Sequence, residues 1–131
     1  MSDGNTVELY GRIDRIDRNI DDVAGASLYD YKTQSAKVIK DRLKDDVQLP
    51  AYALMHGDAG RAAYVALDDE SIVEVAAGNE EHPLAADAEA QGQRLGVVFE
   101  AMYAGATLPA HGVDSVCRWC EMEGLCRKAY V

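Results

Sequence analysis

Hydrophobic and polar positions alternate in two segments within the first third of the chain. Residues 7–16 alternate loosely, and residues 27–33 are rich in tyrosine and leucine, so both segments are typical of β-strands. The segment between them carries turn residues and ends at Gly25, which can adopt a positive φ. The pattern predicts a β-hairpin with a loose loop, and it places Asp14 and Asp30 on neighbouring strands.

The middle of the chain changes from a polar, basic segment to a helical pattern. Residues 34–44 are compatible with a loop or with a short helix. Asp46 is a residue type that caps helices, and the pattern after it predicts a helix over residues 47–55, with Pro50 tolerated in the first turn. The first hairpin is therefore expected to lead into a helix.

Two further hydrophobic segments and one long helical pattern follow. Residues 62–67 and 71–76 predict a second hairpin, and residues 83–104 form the longest helical pattern. Residues 106–131 look irregular, with a short helix near Glu121. Strands, helix, strands and helix in this order predict an α/β fold with a mixed central β-sheet flanked by helices.

The length of the chain fits one domain. A chain of 131 residues, 48 % of them hydrophobic, is long enough to bury a core. We expect a single domain over residues 1–131, with a core over residues 7–105 and a cysteine-bearing tail over residues 106–131. No apolar run reaches the roughly 18 residues that suggest a membrane span. No signal peptide opens the chain, so we expect a cytoplasmic protein with no membrane partner.

Charge is distributed unevenly along the chain. The net charge of −10 disfavours nucleic-acid binding, because phosphate groups attract lysine and arginine. Residues 12–44, however, hold eight Lys or Arg against six Asp, which is a net charge of +2 and leaves −12 for the remaining residues. The positive charge therefore lies next to the candidate site residues, which weakens the objection. Because the whole chain is still strongly negative, we expect it to bind DNA weakly alone and to need a larger basic partner or parent protein.

Two aspartates and a lysine in the first hairpin are the strongest candidates for a reactive site. Asp14 ends the sequence Gly-Arg-Ile-Asp of residues 11–14, and Asp30 begins the sequence Asp30-Tyr31-Lys32. Since residues i and i+2 of a strand point to the same face, Asp30 and Lys32 share a face and Tyr31 lies on the other. Two carboxylates beside an ammonium group suit a hydrated Mg²⁺ next to a phosphate, where the metal can activate a water.

A third aspartate in the same segment is expected to have a different role. Asp17 lies three residues past Asp14, so on a regular strand the two side chains point to opposite faces. We therefore expect Asp17 to make a salt bridge with Arg15, Arg18 or Lys37 and not to bind the metal.

All three cysteines of the chain lie in the motif Cys117-x2-Cys120-x5-Cys126. An odd, clustered set in a chain without a signal peptide argues against a disulfide framework. Thiolates at this spacing suit a soft metal or an iron–sulfur cluster. Two alternatives remain open, which are a zinc site made by the three cysteines with His111 and a set of three unrelated thiols.

The order of these motifs resembles that of a known enzyme family. The segments are Gly-Arg-Ile-Asp-Arg-Ile-Asp at residues 11–17, Asp-Tyr-Lys-Thr at residues 30–33, Gln-Leu-Pro-Ala-Tyr at residues 48–52 and the cysteine motif at residues 117–126. In this combination the chain resembles the PD-(D/E)XK nucleases of the RecB-like branch. Within that branch it is most similar to the nuclease domain at the C-terminus of AddB-type helicase–nuclease subunits. The resemblance implies a restriction-endonuclease-like core.

The resemblance implies a role for each matching residue of the hairpin. Asp14 and Asp30 would bind Mg²⁺ or Mn²⁺, and the backbone carbonyl of Tyr31 would complete the protein ligands of the metal. Lys32 would orient the attacking water and stabilise the charge that develops on the phosphate.

Two residues of the predicted helix also match the family. Gln48 and Tyr52 lie four residues apart, on one face of the helix, and match a Gln-x-x-x-Tyr motif. The resemblance implies that they hold DNA or position the active-site lysine. Tyr52 is equally compatible with packing between helix and sheet, with its hydroxyl group satisfied.

The cysteines have an implied role as well. In the resembled family, residues matching Cys117, Cys120 and Cys126 hold a [4Fe–4S] cluster with a fourth cysteine from upstream of the nuclease core. No cysteine precedes Cys117 in this sequence, and the family's upstream helical segment, with a further metal-binding His or Glu, is missing too. We therefore expect a fragment in which the cluster is absent or incomplete and in which nuclease activity is low.

The function implied by the resemblance is Mg²⁺-dependent hydrolysis of single-stranded DNA ends as a helicase supplies them. The setting would be double-strand break processing and recombinational repair in a bacterial cytoplasm. The partners would be a parent helicase-like domain and the partner subunit of a helicase–nuclease. Three alternatives remain open: a CRISPR-associated iron–sulfur nuclease, a non-catalytic DNA-binding module of the same fold, and a small zinc-binding interaction domain.

Overall fold

The computed structural model describes residues 4, 6–18, 25–107, 112 and 114–126. The chain forms two compact units, residues 1–97 and residues 98–131. None of the helices in the described part of the chain is both long enough and apolar enough to cross a membrane.

The first unit contains a four-stranded sheet in the order β1-β2-β3-β4. The strands are β1 (Arg15–Asp17), β2 (Ala26–Lys32), β3 (Ala59–Ala66) and β4 (Val73–Ala76). Strands β1 and β2 are antiparallel, β2 and β3 are parallel, and β3 and β4 are antiparallel. The predicted α/β fold with a mixed sheet is therefore confirmed, and so are the pairings of both predicted hairpins.

The first strand is shorter than the sequence pattern predicts. Residues 7–14 are not part of the sheet, and β1 begins only at Arg15. The backbone N–H of Tyr31 donates a hydrogen bond to Asp14 Oδ2 at 3.0 Å. The Asp14 side chain thus accepts a hydrogen bond from β2 where the backbone ladder ends. The prediction of a strand over residues 7–16 was therefore wrong in its bounds, since only Arg15 and Ile16 of that range lie in β1.

The loop of the first hairpin ends at a glycine whose conformation few other residues could adopt. Gly25 has a φ of +85°, as the turn pattern predicts, whereas residues 21–24 of the predicted turn lie outside the described residues. A Cβ atom at Gly25 would lie 2.8 Å from the backbone oxygen of Asp58. That same oxygen accepts a hydrogen bond from Ala26 N at 2.7 Å, so the start of β2 is fixed against the loop that precedes β3.

Two helices connect the parallel strands β2 and β3. They are α1 (Ala36–Arg42), which continues into a 3₁₀ turn at Leu43–Asp45, and α2 (Gln48–His56). The open choice between loop and helix after β2 is therefore decided in favour of a helix. The carboxylate of Asp46 accepts hydrogen bonds from Gln48 N at 3.3 Å and from Leu49 N at 3.1 Å, as expected for a capping residue.

Helix α1 is also capped from a distant part of the chain. Asp69, in the turn between β3 and β4, accepts a hydrogen bond from Ala36 N through Oδ2 at 2.7 Å. The N–H of Leu67 donates to the carbonyl oxygen of Lys32 at 3.0 Å. These two contacts hold the end of β2 and the start of α1 against the β3–β4 turn.

The core of the first unit lies between the sheet and helices α1 and α2. Helix α2 packs on β3, and α1 packs on β3 and β4. The largest fully buried side chains of this core are Leu28 of β2 and Leu49 of α2. They belong to one cluster of buried residues that also contains Leu84 and Ala88. Burial of such side chains is the main source of stability in a fold of this size. Among the described residues, Asp30 is the one charged residue that is buried with this core.

Helix α3 (Leu84–Tyr103) begins in the first unit and ends in the second. Its bounds agree closely with the predicted helix over residues 83–104. The second unit also contains α4 (Asp114–Cys117) and α5 (Glu123–Cys126). Helix α5 corresponds to the short helix predicted near Glu121, whereas α4 was not predicted.

Candidate active site

Strand β2 brings two of the candidate residues together on its inner face. Residues along β2 alternate between buried and more exposed positions, so Asp30 faces the core and Tyr31 faces solvent. Asp30 is only 5 % exposed. Lys32 returns to the same face as Asp30, and its Nζ atom lies 2.7 Å from Asp30 Oδ2. Asp30 and Lys32, which the strand period places on one face, thus form an ion pair.

Asp14 lies beside the same segment of β2. The antiparallel register pairs Arg15 with Tyr29, so the next pair in this register would be Asp14 and Asp30. Facing residues of an antiparallel pair point to the same side of the sheet. The hydrogen bond from Tyr31 N to Asp14 Oδ2 holds this exposed carboxylate next to the Asp30–Tyr31 peptide. Asp14, Asp30 and the backbone of Tyr31 are therefore neighbours.

Gln48, in the first turn of α2, joins the two charges of the ion pair. Its Nε2 donates to Asp30 Oδ1 at 3.0 Å, and its Oε1 accepts from Lys32 Nζ at 3.0 Å. The amide group has a donor end and an acceptor end, and each end meets the group that it complements. Gln48 therefore fixes the position of Lys32 relative to Asp30.

Tyr52 lies one helical turn further along α2 and completes this cluster. Its hydroxyl oxygen accepts from Gln48 Nε2 at 2.8 Å and lies 3.4 Å from Asp30 Oδ1. Its ring packs against the buried core. The two interpretations offered for Tyr52 are therefore compatible, since the ring packs between helix and sheet while the hydroxyl group contacts the site.

Tyr64 also contacts this cluster, although the sequence motifs do not include it. Tyr64 lies on β3, paired in register with Asp30, and its hydroxyl donates to Asp46 Oδ1 at 2.7 Å. The same hydroxyl oxygen lies 3.2 Å from Gln48 Oε1, and Lys32 Nζ lies 5.0 Å from the centre of the ring. Burial, followed by the hydrogen bond to the Asp46 carboxylate, raises the pKa of Tyr64 above its usual range.

One signal in the sequence indicates such a role for Tyr64. It lies within the predicted strand over residues 62–67, and a buried tyrosine normally finds a partner for its hydroxyl group. The partner, Asp46, precedes it by 18 residues and was interpreted only as a helix cap. A contact over that separation cannot be found from local periodicity.

The second carboxylate oxygen of Asp30 is in an unusual environment. Oδ2 is buried, and its partner is Lys32 Nζ, which lies 2.7 Å away. A buried charge needs compensation, which here comes mainly from one lysine. A carboxylate oxygen has a second lone pair beyond this ion pair, and together with the Asp14 carboxylate and the Tyr31 carbonyl it gives an all-oxygen donor set, which suits a hard divalent cation. The residues present therefore fit such a metal.

The number of side-chain ligands available to such a metal is small. Within the described ranges, no three His, Cys, Asp or Glu side chains lie close enough together to hold a metal ion. Asp14 and Asp30 would supply two ligands, and further ligands would have to be the backbone carbonyl of Tyr31, water or substrate oxygens.

Asp17 is not part of this cluster. It forms a salt bridge with Arg15, whose Nη2 lies 2.6 Å from Asp17 Oδ2 and whose Nε donates to Oδ1 at 2.8 Å. This is one of the pairings expected from its position three residues past Asp14.

The cysteines lie in the second unit, at the ends of α4 and α5 and between them. No disulfide joins Cys117, Cys120 and Cys126. They are not among any metal-holding group of side chains within the described residues. His111, the fourth ligand of the zinc alternative, lies outside the described residues.

A comparison with protein-family models identifies the family of this chain. The family model of the PD-(D/E)XK nuclease superfamily matches residues 1–127 of the chain. Searches among curated proteins and among solved structures gave no significant match. Members of this superfamily are typically metal-dependent nucleases, which implies DNA as the substrate. With a family-model match over nearly its whole length, the chain belongs to the PD-(D/E)XK nuclease superfamily.

Proposed function

We propose that this chain hydrolyses phosphodiester bonds of DNA with a divalent cation, Mg²⁺ or Mn²⁺, held at Asp14 and Asp30. The observation that carries the proposal is the buried Asp30 carboxylate. One of its oxygens pairs with Lys32 Nζ at 2.7 Å, and the other accepts a hydrogen bond from Gln48 Nε2 at 3.0 Å. When bound, the cation would activate a water and neutralise charge on the phosphate.

The protein's own groups would orient the reactants. Lys32 is half-buried, so its ammonium group can contact both Asp30 and a phosphate oxygen at the surface. Its role would be to position the attacking water and to stabilise negative charge that develops in the transition state. Gln48 holds Nζ of Lys32 in place through its side-chain oxygen. Such orientation lowers the barrier because it is established before the reaction begins.

A cleavage assay tests this function. We would measure Mg²⁺-dependent cleavage of end-labelled single-stranded DNA by the wild-type chain and by the variants Asp14→Asn, Asp30→Asn and Lys32→Ala. Each variant should lose about 100-fold or more of kcat, since each removes a group that binds the cation or stabilises the transition state. Asp17→Asn is the matched control, because Asp17 pairs with Arg15 away from the cluster, and it should keep its rate within about twofold.

The proposal would be wrong if Asp30→Asn cleaved DNA as fast as the wild-type chain. It would also be wrong if neither this chain nor a longer native protein containing it cleaved DNA in Mg²⁺ or Mn²⁺. Low activity of the chain alone, together with Asp30-dependent activity of the longer protein, would support the proposal and the expectation that this is a fragment.

We further propose that the chain belongs to the RecB-like branch and acts as an AddB-type nuclease domain. The support is the Gly-Arg-Ile-Asp-Arg-Ile-Asp segment at residues 11–17 together with the Gln48 and Tyr52 pair, which contacts Asp30 and Lys32. The partners would be a helicase-like domain and a helicase–nuclease subunit, acting on single-stranded ends in double-strand break repair. Co-purification of the native protein with an ATP-dependent DNA helicase tests this assignment, and a native protein without helicase association would contradict it.

For the cysteines we propose three ligands of a [4Fe–4S] cluster, Cys117, Cys120 and Cys126, with the fourth ligand outside this chain. The support is the spacing of the three thiols within ten residues, in a chain with no other cysteine. Metal analysis of anaerobically prepared protein distinguishes iron from zinc. Stoichiometric zinc that is lost on His111→Ala would establish the Cys₃His alternative instead.

A further inference from the structure

A groove opens beyond Lys32 at the carboxyl ends of the parallel strands β2 and β3. Its volume is about 490 Å³, which is within the usual range for small-molecule pockets. Lys32 forms the wall shared with the candidate active site, and Thr33, Gln34 and Arg42 form polar walls further away. In open α/β sheets, ligands bind in the crevice outside the carboxyl ends of parallel strands, which is where this groove lies.

The charges in the groove favour an anion at its outer end. Lys32 is paired with Asp30, so its charge is largely offset. The carboxylate of Asp46 also lines the groove, but both of its oxygens accept hydrogen bonds, from backbone N–H groups of α2 and from Tyr64. Arg42 is exposed, and none of the acidic residues in the described part of the chain forms a salt bridge with it. Its guanidinium group is therefore available to an anionic ligand.

The groove also has an apolar side. Ile39, which is 5 % exposed, and the half-buried Leu43 face it from α1 and the turn that follows. Tyr64 also lines the groove, but its ring is only 5 % exposed and Lys32 Nζ lies 5.0 Å from the ring centre, so the free apolar surface comes mainly from Leu43. A ligand that fills the groove must therefore combine an anionic group with a flat or apolar group. A nucleotide has both, in its phosphate and its base, and bases stack on aromatic and apolar side chains without regard to sequence.

We propose that this groove binds the nucleotide next to the scissile phosphate, with its phosphate at Arg42 and Thr33 and its base against Leu43. The proposal rests on the proposed nuclease function, because Lys32 joins the groove to the reactive cluster. It adds a specific role for Arg42: this residue binds the substrate strand and takes no part in the chemical step. The groove would thereby fix the register of the strand relative to Asp30.

The test compares Arg42→Ala with Lys44→Ala. Both variants remove one exposed positive charge from neighbouring positions of the chain, but only Arg42 lines the groove. Binding of a fluorescent single-stranded oligonucleotide is followed by anisotropy in Ca²⁺ over a series of salt concentrations, and cleavage in Mg²⁺ gives kcat and KM. Thr33→Val serves as a second variant, since it removes one hydroxyl group without changing charge or much volume.

Arg42→Ala should raise Kd and KM by about tenfold and leave kcat within about twofold. Loss of one phosphate contact should also reduce the slope of log K against log salt by about 0.7. Thr33→Val should raise Kd by about threefold with the slope unchanged, and Lys44→Ala should leave Kd, slope and kcat within twofold of the wild type. A kcat defect without a Kd or slope change in Arg42→Ala would overturn the proposal, and so would equal effects of Arg42→Ala and Lys44→Ala.

The outcomes separate this proposal from the nuclease function. If Asp30→Asn abolishes cleavage while Arg42→Ala binds DNA like the wild type, the groove proposal fails and the nuclease function stands. If Asp30→Asn leaves cleavage unchanged, the nuclease function fails, and a normal salt slope in Arg42→Ala overturns the groove proposal independently.

Discussion

Gln48 donates a hydrogen bond to Asp30 from Nε2 to Oδ1 at 3.0 Å, from the first turn of α2 to the centre of the inner sheet face. The opposite end of the same amide accepts from Lys32 Nζ at 3.0 Å. One side chain thus contacts the carboxylate and the ammonium group of the motif at once. The amide can satisfy both only in one orientation, because its donor and acceptor ends are not interchangeable.

Replacing that amide by a carboxylate should disrupt the site. In Gln48→Glu an oxygen would face Asp30 Oδ1, and two carboxylates in contact disfavour each other's charged form. We expect kcat for DNA cleavage to fall by at least about tenfold, and to fall further than in Gln48→Met, which removes the hydrogen bonds without adding charge. Gln93→Glu makes the same chemical change on the exposed surface of α3 and should leave kcat unchanged. Equal rates for Gln48→Glu and the wild type would contradict this role.

The start of α1 depends on a residue 33 positions later in the chain. Asp69 Oδ2 accepts from Ala36 N at 2.7 Å, so it satisfies one of the N–H groups that the first turn of a helix leaves without a partner. Asp69→Ala should lower the free energy of unfolding by about 1 kcal/mol, as measured by urea denaturation. Asp68→Ala removes a carboxylate from the same exposed turn and should cost less than about 0.5 kcal/mol. Equal losses for the two variants would show that Asp69 does not cap the helix.

Two glycines with positive φ should differ in their tolerance of a methyl group. Gly57 ends α2 with a φ of +73° and has open space where a Cβ would lie, so Gly57→Ala should cost about 1 kcal/mol for the backbone conformation alone. At Gly25, a Cβ would lie 2.8 Å from the backbone oxygen of Asp58, so Gly25→Ala should cost at least about 2 kcal/mol. Urea denaturation of both variants measures the loss in the free energy of unfolding. An equal loss for Gly57→Ala and Gly25→Ala would contradict the predicted difference.

The elements that the sequence predicts correctly are those determined by local signals. Strand β2, the second hairpin and helices α2 and α3 follow from hydrophobic period, from Asp46 as a cap and from Gly57 as a stop. The inward face shared by Asp30 and Lys32 also follows from the period of a strand.

The features that the sequence does not predict depend on contacts between distant residues. Just before β1, the Asp14 carboxylate accepts a hydrogen bond from the backbone N–H of Tyr31, 17 residues further along the chain. The contact of Asp69 with the first turn of α1 is another such feature, although Ser35 also caps that helix locally through its hydroxyl group. The partner of Tyr64, likewise, is fixed by the parallel pairing of β2 with β3, which brings β3 under α2. Periodicity identifies faces and lengths of elements, but it does not identify which side chains meet across them.

The hydrogen bond between Tyr64 and Asp46 should contribute to stability as well as to the site. Its length is 2.7 Å, its acceptor is a carboxylate and its donor ring is 5 % exposed. Tyr64→Phe removes only the hydroxyl group, and we expect a loss of about 2 kcal/mol at neutral pH, as for other hydrogen bonds to charged groups. Tyr103→Phe is the control, because Tyr103 is exposed, and it should cost less than about 0.5 kcal/mol. If both variants have the same urea midpoint of unfolding as the wild-type chain, the hydroxyl group of Tyr64 does not stabilise the fold.

This contribution should also depend on pH in a defined direction. Burial and the Asp46 carboxylate raise the pKa of Tyr64 in the folded state above the ordinary value of 10.0, so the folded state keeps the hydroxyl proton to higher pH than the unfolded state does. The contribution is therefore fully present below about pH 10 and is lost as pH rises above it towards the folded-state pKa. Urea denaturation at several pH values should give a constant difference between wild type and Tyr64→Phe from pH 7 to 9, and a smaller difference above pH 10. Other tyrosines titrate in both proteins and cancel in this comparison, so a difference that stays constant to pH 11 would show that the folded-state pKa of Tyr64 is not raised.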